Sequence, residues 1–165
     1  MPNKQLINTK VSIRFFATVF LLSTYSSAAM AQTLAETEAW IIEQTKVNPY
    51  QLKHSIVGDE LISITTVGSD MITGGPVQKA IPISQVTTIA YTHTNEYLSY
   101  TMTCDKPCAY LLDEPEELRP KFLFEIYTKL DASYVPRMNK ALLHLIKLHG
   151  GKAKVVKAAA VKEAF

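Results

Sequence analysis

The chain has 165 residues, 47% of them hydrophobic, with 17 Lys and Arg against 15 Asp and Glu. That length and apolar content give room for one domain with its own core and exclude a wholly disordered chain. The basic surplus is confined to residues 1–31, which hold Lys4, Lys10 and Arg14 and no acid, so residues 32–165 are nearly neutral and give a nucleic-acid partner no electrostatic footing.

Residues 1–31 have the three parts of a secretory signal peptide. A basic start, MPNKQLINTKVSIR, precedes the apolar run FFATVFLL, and the exit closes on Ala29-Met30-Ala31. Cleavage after Ala31 makes Gln32 the expected new N-terminus. The apolar run is too short and its continuation too Ser-rich to span a bilayer, and no later stretch is apolar enough to do so. No cysteine follows that run to carry a lipid. The expected product is therefore periplasmic or secreted, with residues 32–151 as a single α+β domain and residues 152–165 as a basic Ala/Lys/Val tail.

Thr33 and Glu36 have the spacing of a capping box, and the spacing predicts a helix over LAETEAWIIEQT that ends before Asn48-Pro49. Leu34, Trp40 and Ile41, with Thr37, make its apolar side. The period then shortens to two. Tyr50, Leu52, His54 and Ile56 alternate with polar residues, Gly58-Asp59 turns the chain, and ELISITTV reads as a second strand. Glycines 68, 74 and 75 punctuate the stretch before VQKAIPI. VTTIAYTHT and YLSYTMTC pair across Asn95-Glu96, AYLL follows the cysteines, and DEPEELRP reads as an acidic loop bounded by proline. KFLFEIYTKL is the last expected strand, with Phe122, Phe124 and Ile126 on one face. Val135, Met138, Leu142, Leu145 and Ile146 recur at helical spacing, Pro136 sits in the first turn where proline is tolerated, and Gly150-Gly151 closes the helix.

Six or seven short strands in sequence read as an antiparallel β-meander that curls to bury its face. With an N-terminal helix and a C-terminal capping helix, the expected architecture is a pleckstrin-homology-like (PH-like) barrel.

Cys104 and Cys108 are the only cysteines. In an oxidising compartment two cysteines this close pair as a disulfide, here expected to staple a hairpin at Asp105-Lys-Pro107. Two rivals stay open. A thiol-redox pair normally has the C-x-x-C spacing at a helix N-terminus. A metal site needs further ligands, and His93 lies about 20 Å from Cys104 along the expected hairpin. His144 and His149 are five apart on a helix and do not converge. His149 is expected to interact with the helix C-terminus.

The stretches TLAETEAWI, IPIS, the cysteine turn, NKALLHLIKLHGG and the terminal EAF together resemble a group of small exported bacterial proteins of uncharacterised role. That group has a leading helix of the type T-x-x-E-T-x-x-W-[IL] and a closing helix of the type K-A-x-x-H-L-I-x-L, often followed by Cys or Gly and a terminal Phe. His149 stands where a cysteine is common. The resemblance implies no activity, substrate or catalytic residue.

No G-x-S-x-G, H-E-x-x-H or P-loop pattern is present. The expectation is a non-catalytic, cofactor-free binding or structural module of the cell envelope. Its partner would be an envelope protein, a peptide or a lipid. The alternative is a periplasmic metal-handling or thiol-redox protein acting through Cys104 and Cys108.

Overall fold

The computed structural model describes residues 33–46, 52–65 and 76–158. The expected signal segment and its Ala31/Gln32 cleavage site, Tyr50, and the glycines at 68, 74 and 75 lie outside the described residues. So do residues 159–165.

Helix α1 runs Leu34–Glu43 and buries Thr37 and Ile41, while Leu34 and Trp40 pack partly against the core. The backbone N–H of Thr45 and its hydroxyl both donate to the Ile42 carbonyl, which tightens the last turn. Strands β1 (Lys53–Val57), β2 (Glu60–Thr65) and β3 (Val77–Pro82) pair antiparallel. A short 3-10 turn, Ile83–Gln85, then leads to β4 (Thr88–His93) and β5 (Tyr97–Thr103), paired as expected with His93 opposite Leu98. Next come β6 (Ala109–Leu111), β7 (Glu114–Arg119), β8 (Phe122–Tyr127), helix α2 (Tyr134–Leu148) and β9 (Lys154–Lys157).

The architecture is α+β, and its strands form two sheets. One has the order β1-β2-β3-β6-β7 and the other β8-β5-β4-β9. Among the described residues no ladder joins the sheets into a closed barrel, and the order is not that of a meander. The chain crosses between sheets at the 3-10 turn, at the cysteine loop and at Pro120-Lys121. The reason is that β5 already has β4 on one edge and β8 on the other, so β6 must find its partners elsewhere.

Side-chain alternation builds the core. On β8, Phe122, Phe124 and Ile126 are buried, while Leu123 between them is 49% exposed. They meet Met102, Tyr100 and Leu98 across the register on β5. Helix α2 lays Met138, Leu142, Leu145 and Ile146 into the same core.

The end of α2 follows from its two glycines. Gly150 adopts φ +83°, a left-handed conformation that costs glycine little. Its N–H donates to Lys147 O and that of Gly151 donates to Ile146 O, the paired bonds of a Schellman motif. A Cβ on Gly151 would stand 2.6 Å from the Ser84 carbonyl oxygen, so this close approach requires glycine.

Two segments depart from the sequence expectation. DEPEELRP is not a loop: Glu114–Arg119 is an edge strand with all six residues exposed, and Pro115 is tolerated there because an edge strand leaves some N–H groups unpaired. Nor is the basic tail wholly a solvated extension. Its residues 154–157 form β9, which runs parallel to β4 with Lys154 opposite Thr88 and Lys157 opposite Tyr91. Lys154 and Lys157 stay in water while Val155 packs on the core.

Candidate functional site

Two concave features stand out among the described residues. A cavity lined by Leu61, Ile83, Met102, Leu142 and other core side chains holds only about 10 Å³. That is the lower limit for one water molecule, so this cavity is too small for a ligand. The second is an open groove of about 460 Å³ between the β4–β5 turn and the first turns of α2, within the size range of ligand sites.

The groove follows from local hydrogen bonding. After β8 the chain runs back along the β4–β5 turn, where Thr128 N–H donates to Glu96 O and Leu130 N–H donates to Asn95 O. Asp131 then leads into α2, its carbonyl accepting from the Tyr134 N–H. Its carboxylate accepts from the Ser133 N–H at 2.7 Å and the Ser133 hydroxyl at 2.6 Å, and Arg137 stands at 3.5 Å. The Ser133 hydrogen bonds hold this carboxyl below its ordinary range. One wall of the groove is apolar, made by Leu130, Val135 and Pro136. The other carries the rings of Tyr91 and His93, stacked with centroids 6.2 Å apart and planes 18° apart. Asn139 closes the floor, its Oδ1 accepting from the buried Tyr100 hydroxyl at 2.7 Å. Burial drives that phenol strongly upward, so it stays a donor. An apolar wall, a flat ring pair and a few fixed polar groups suit a short segment with a ring or branched side chain.

The cysteines lie elsewhere. Cys104 and Cys108 are joined as a disulfide, with Cα atoms 6.1 Å apart. The bond does not staple a hairpin. It bridges the loop that carries the chain from β5 in one sheet to β6 in the other, where Cys108 N–H also donates to Arg119 O. Sequence proximity alone favours a hairpin; the two occupied edges of β5 exclude one.

The histidines separate. His93 lies in the groove. His54, 7% exposed, sits between the sheets: its Nε2 is 3.0 Å from the Glu125 carbonyl oxygen and its ring lies 4.5 Å from that of Phe124. Its Nδ1 is buried with no hydrogen-bond partner. Burial pulls the imidazole from its ordinary 6.5 down to about 4, against a smaller upward pull from the Glu125 carbonyl.

His149 does not point at the helix C-terminus, because the Gly150-Gly151 turn already satisfies carbonyls there. Its side chain, 9% exposed, fits between two carboxylates: Nε2 is 3.3 Å from Glu38 Oε1 on α1, and Nδ1 is 3.2 Å from Asp59 Oδ1 in the β1–β2 turn. Asp59 also accepts from the Ser84 N–H at 3.0 Å and from the Ser84 hydroxyl. Ser, Asp and His meet here, but the serine bonds the aspartate and not the imidazole. Both ring nitrogens are committed, which leaves none for a substrate proton. They also point apart, so the three side chains do not converge as a metal cage. Sequence reasoning missed this cluster, because Glu38 and His149 stand 111 residues apart.

No helix among the described residues is long and apolar enough to cross a membrane. No family model, curated protein or solved structure matches this chain.

Proposed function

We propose that this protein is an exported, non-catalytic binding module of the cell envelope, and that the groove between the β4–β5 turn and α2 is its docking place. The observation that carries this reading is the groove itself: about 460 Å³, built by backbone hydrogen bonds, with mixed apolar and polar walls. The signal-like residues 1–31, the A-x-A exit at Ala31 and the disulfide all fit an oxidising compartment outside the cytoplasm. The resemblance to small exported bacterial proteins points the same way. Two sheets with a C-terminal helix are also the parts of a PH-like scaffold. Such scaffolds dock peptides or lipids at strand edges and open mouths, an argument from analogy.

The test is native mass spectrometry of protein purified unreduced from the exported fraction. The expected mass is that of a chain beginning at Gln32, two hydrogens below the reduced form, without a metal adduct. A chain that retains residues 1–31 overturns the export reading. Free thiols with a bound copper or zinc ion replace it with metal handling or thiol redox at Cys104 and Cys108. A photo-crosslinker at position 93 then tests the groove: adducts with an envelope component should form and be lost on Val135→Asp.

A further inference from the structure

We propose that His54 is an acid-released cap on the seam between the two sheets: its neutral ring ties β1 to β8, and protonation drives the ring out and parts the two strands. Strands β1 and β8 are edge strands of different sheets, and no ladder joins them. The His54 side chain spans that gap. Nε2–H donates to the Glu125 carbonyl on the edge of β8, and the ring packs on Phe124.

Neutral imidazole suits this place, with one donor used and an apolar ring buried. A protonated ring does not. It carries a charge into an apolar seam, and its Nδ1 becomes a donor where the structure has no acceptor. No nearby group compensates: no charge pulls on the ring, and α1, which also packs on β1, gives Glu38 to His149 and Glu43 to Lys46. From β8 the ring meets Phe124 and the Glu125 carbonyl. The Glu125 carboxylate belongs to the opposite face of its sheet, where the Tyr97 hydroxyl donates to it at 2.7 Å. Across β1 stands the buried hydroxyl residue Ser63 and, next in that row on β3, the cation Lys79. Beyond Phe124 lies Tyr100, whose hydroxyl is given to Asn139.

The direction of the response follows. Above the ordinary imidazole range the seam is fully closed. As pH falls, the open form takes up a proton that the closed form resists, because burial holds the closed-form ring near 4. The closed-to-open ratio should fall on the order of 100-fold between pH ~6.5 and ~4. Opening would expose the Glu125 carbonyl and its strand edge, the kind of surface to which an extended partner adds as a strand.

Two measurements test this on the purified protein. The first follows the His54 ring by NMR through a pH titration of the wild type, and it needs no variant. The ring should resist protonation until well below pH ~6, whereas titration at the ordinary imidazole value overturns the proposal. The second is amide hydrogen exchange at about pH 6.5 and 4.5, corrected for intrinsic rates, in wild type and His54→Phe. Protection in β1 and along β8 should drop at least tenfold in the wild type and stay level in the variant. Acid-insensitive protection in the wild type, or an equal loss in both, overturns it.

Discussion

Two histidines with little-exposed side chains sit in opposite electrical settings. His54 lies against Phe124 in an apolar seam, gives one hydrogen bond to a carbonyl, and has a bare second nitrogen. His149 has a carboxylate at each nitrogen, Glu38 on one side and Asp59 on the other. A carboxylate only accepts, so both ring nitrogens of His149 face acceptors, whereas one ring nitrogen of His54 does. Burial alone therefore does not decide what a histidine does; the groups it is buried among decide. The first joins sheet to sheet. The second joins α1, the β1–β2 turn and, through Asp59, Ser84 of the 3-10 turn to the end of α2.

The strongest way to break the contrast is to remove the apolar side of the seam. Phe124→Ala takes a fully buried ring from beneath His54 and Tyr100 and should cost about 3–5 kcal/mol, read from chemical denaturation. If the variant still folds, water entering the seam should return the His54 ring toward ordinary titration. Acid comes next. Holding the folded-state imidazole near 4 against 6.5 contributes stability that is complete above about pH 6.5. About 3 kcal/mol of it should be lost as pH falls to 4, and the slope should vanish in His54→Phe.

Replacing Cys104 and Cys108 by serine is a control that should leave both histidines in place. The loop is short, so the loss should be about 2 kcal/mol, measured as a lower midpoint of unfolding. Smallest is His149→Gln, which keeps a polar side chain but gives up one of the two carboxylate contacts. Glu38 and Asp59 are partly solvated, so about 1–2 kcal/mol is expected, with the faster amide exchange concentrated in α1. A uniform increase across the chain would show that the clasp is not local to α1.

The parts that were legible from sequence share one property: their burial pattern repeats within a few residues. Phe122, Phe124 and Ile126 alternate against exposed Leu123, and Met138, Leu142, Leu145 and Ile146 recur at helical spacing; both signals hold in the structure. β7 has no such signal, because all six of its residues are exposed and its acids and Pro115 look like a loop. β9 has only Val155 and Val156 between lysines, too short for a period. The groove was illegible for another reason. Its walls come from the β4–β5 turn and α2, far apart in sequence, and they meet through bonds such as Leu130 N–H to Asn95 O and Tyr100 hydroxyl to Asn139. Chain proximity even misled at the cysteines, since it implied a hairpin where the chain changes sheets.

β9 has a consequence for the order in which the molecule can assemble. It pairs with β4 at a sequence separation of 66 residues, and among the described residues it is the one parallel partner in its sheet. Contacts that distant close slowly, because the loop entropy must be met before the ladder forms. A chain that emerges N-terminus first thus presents β4 with one edge open until the last described strand arrives. During that interval the open edge is the place where a neighbouring chain, or a chaperone, would compete for the same hydrogen bonds.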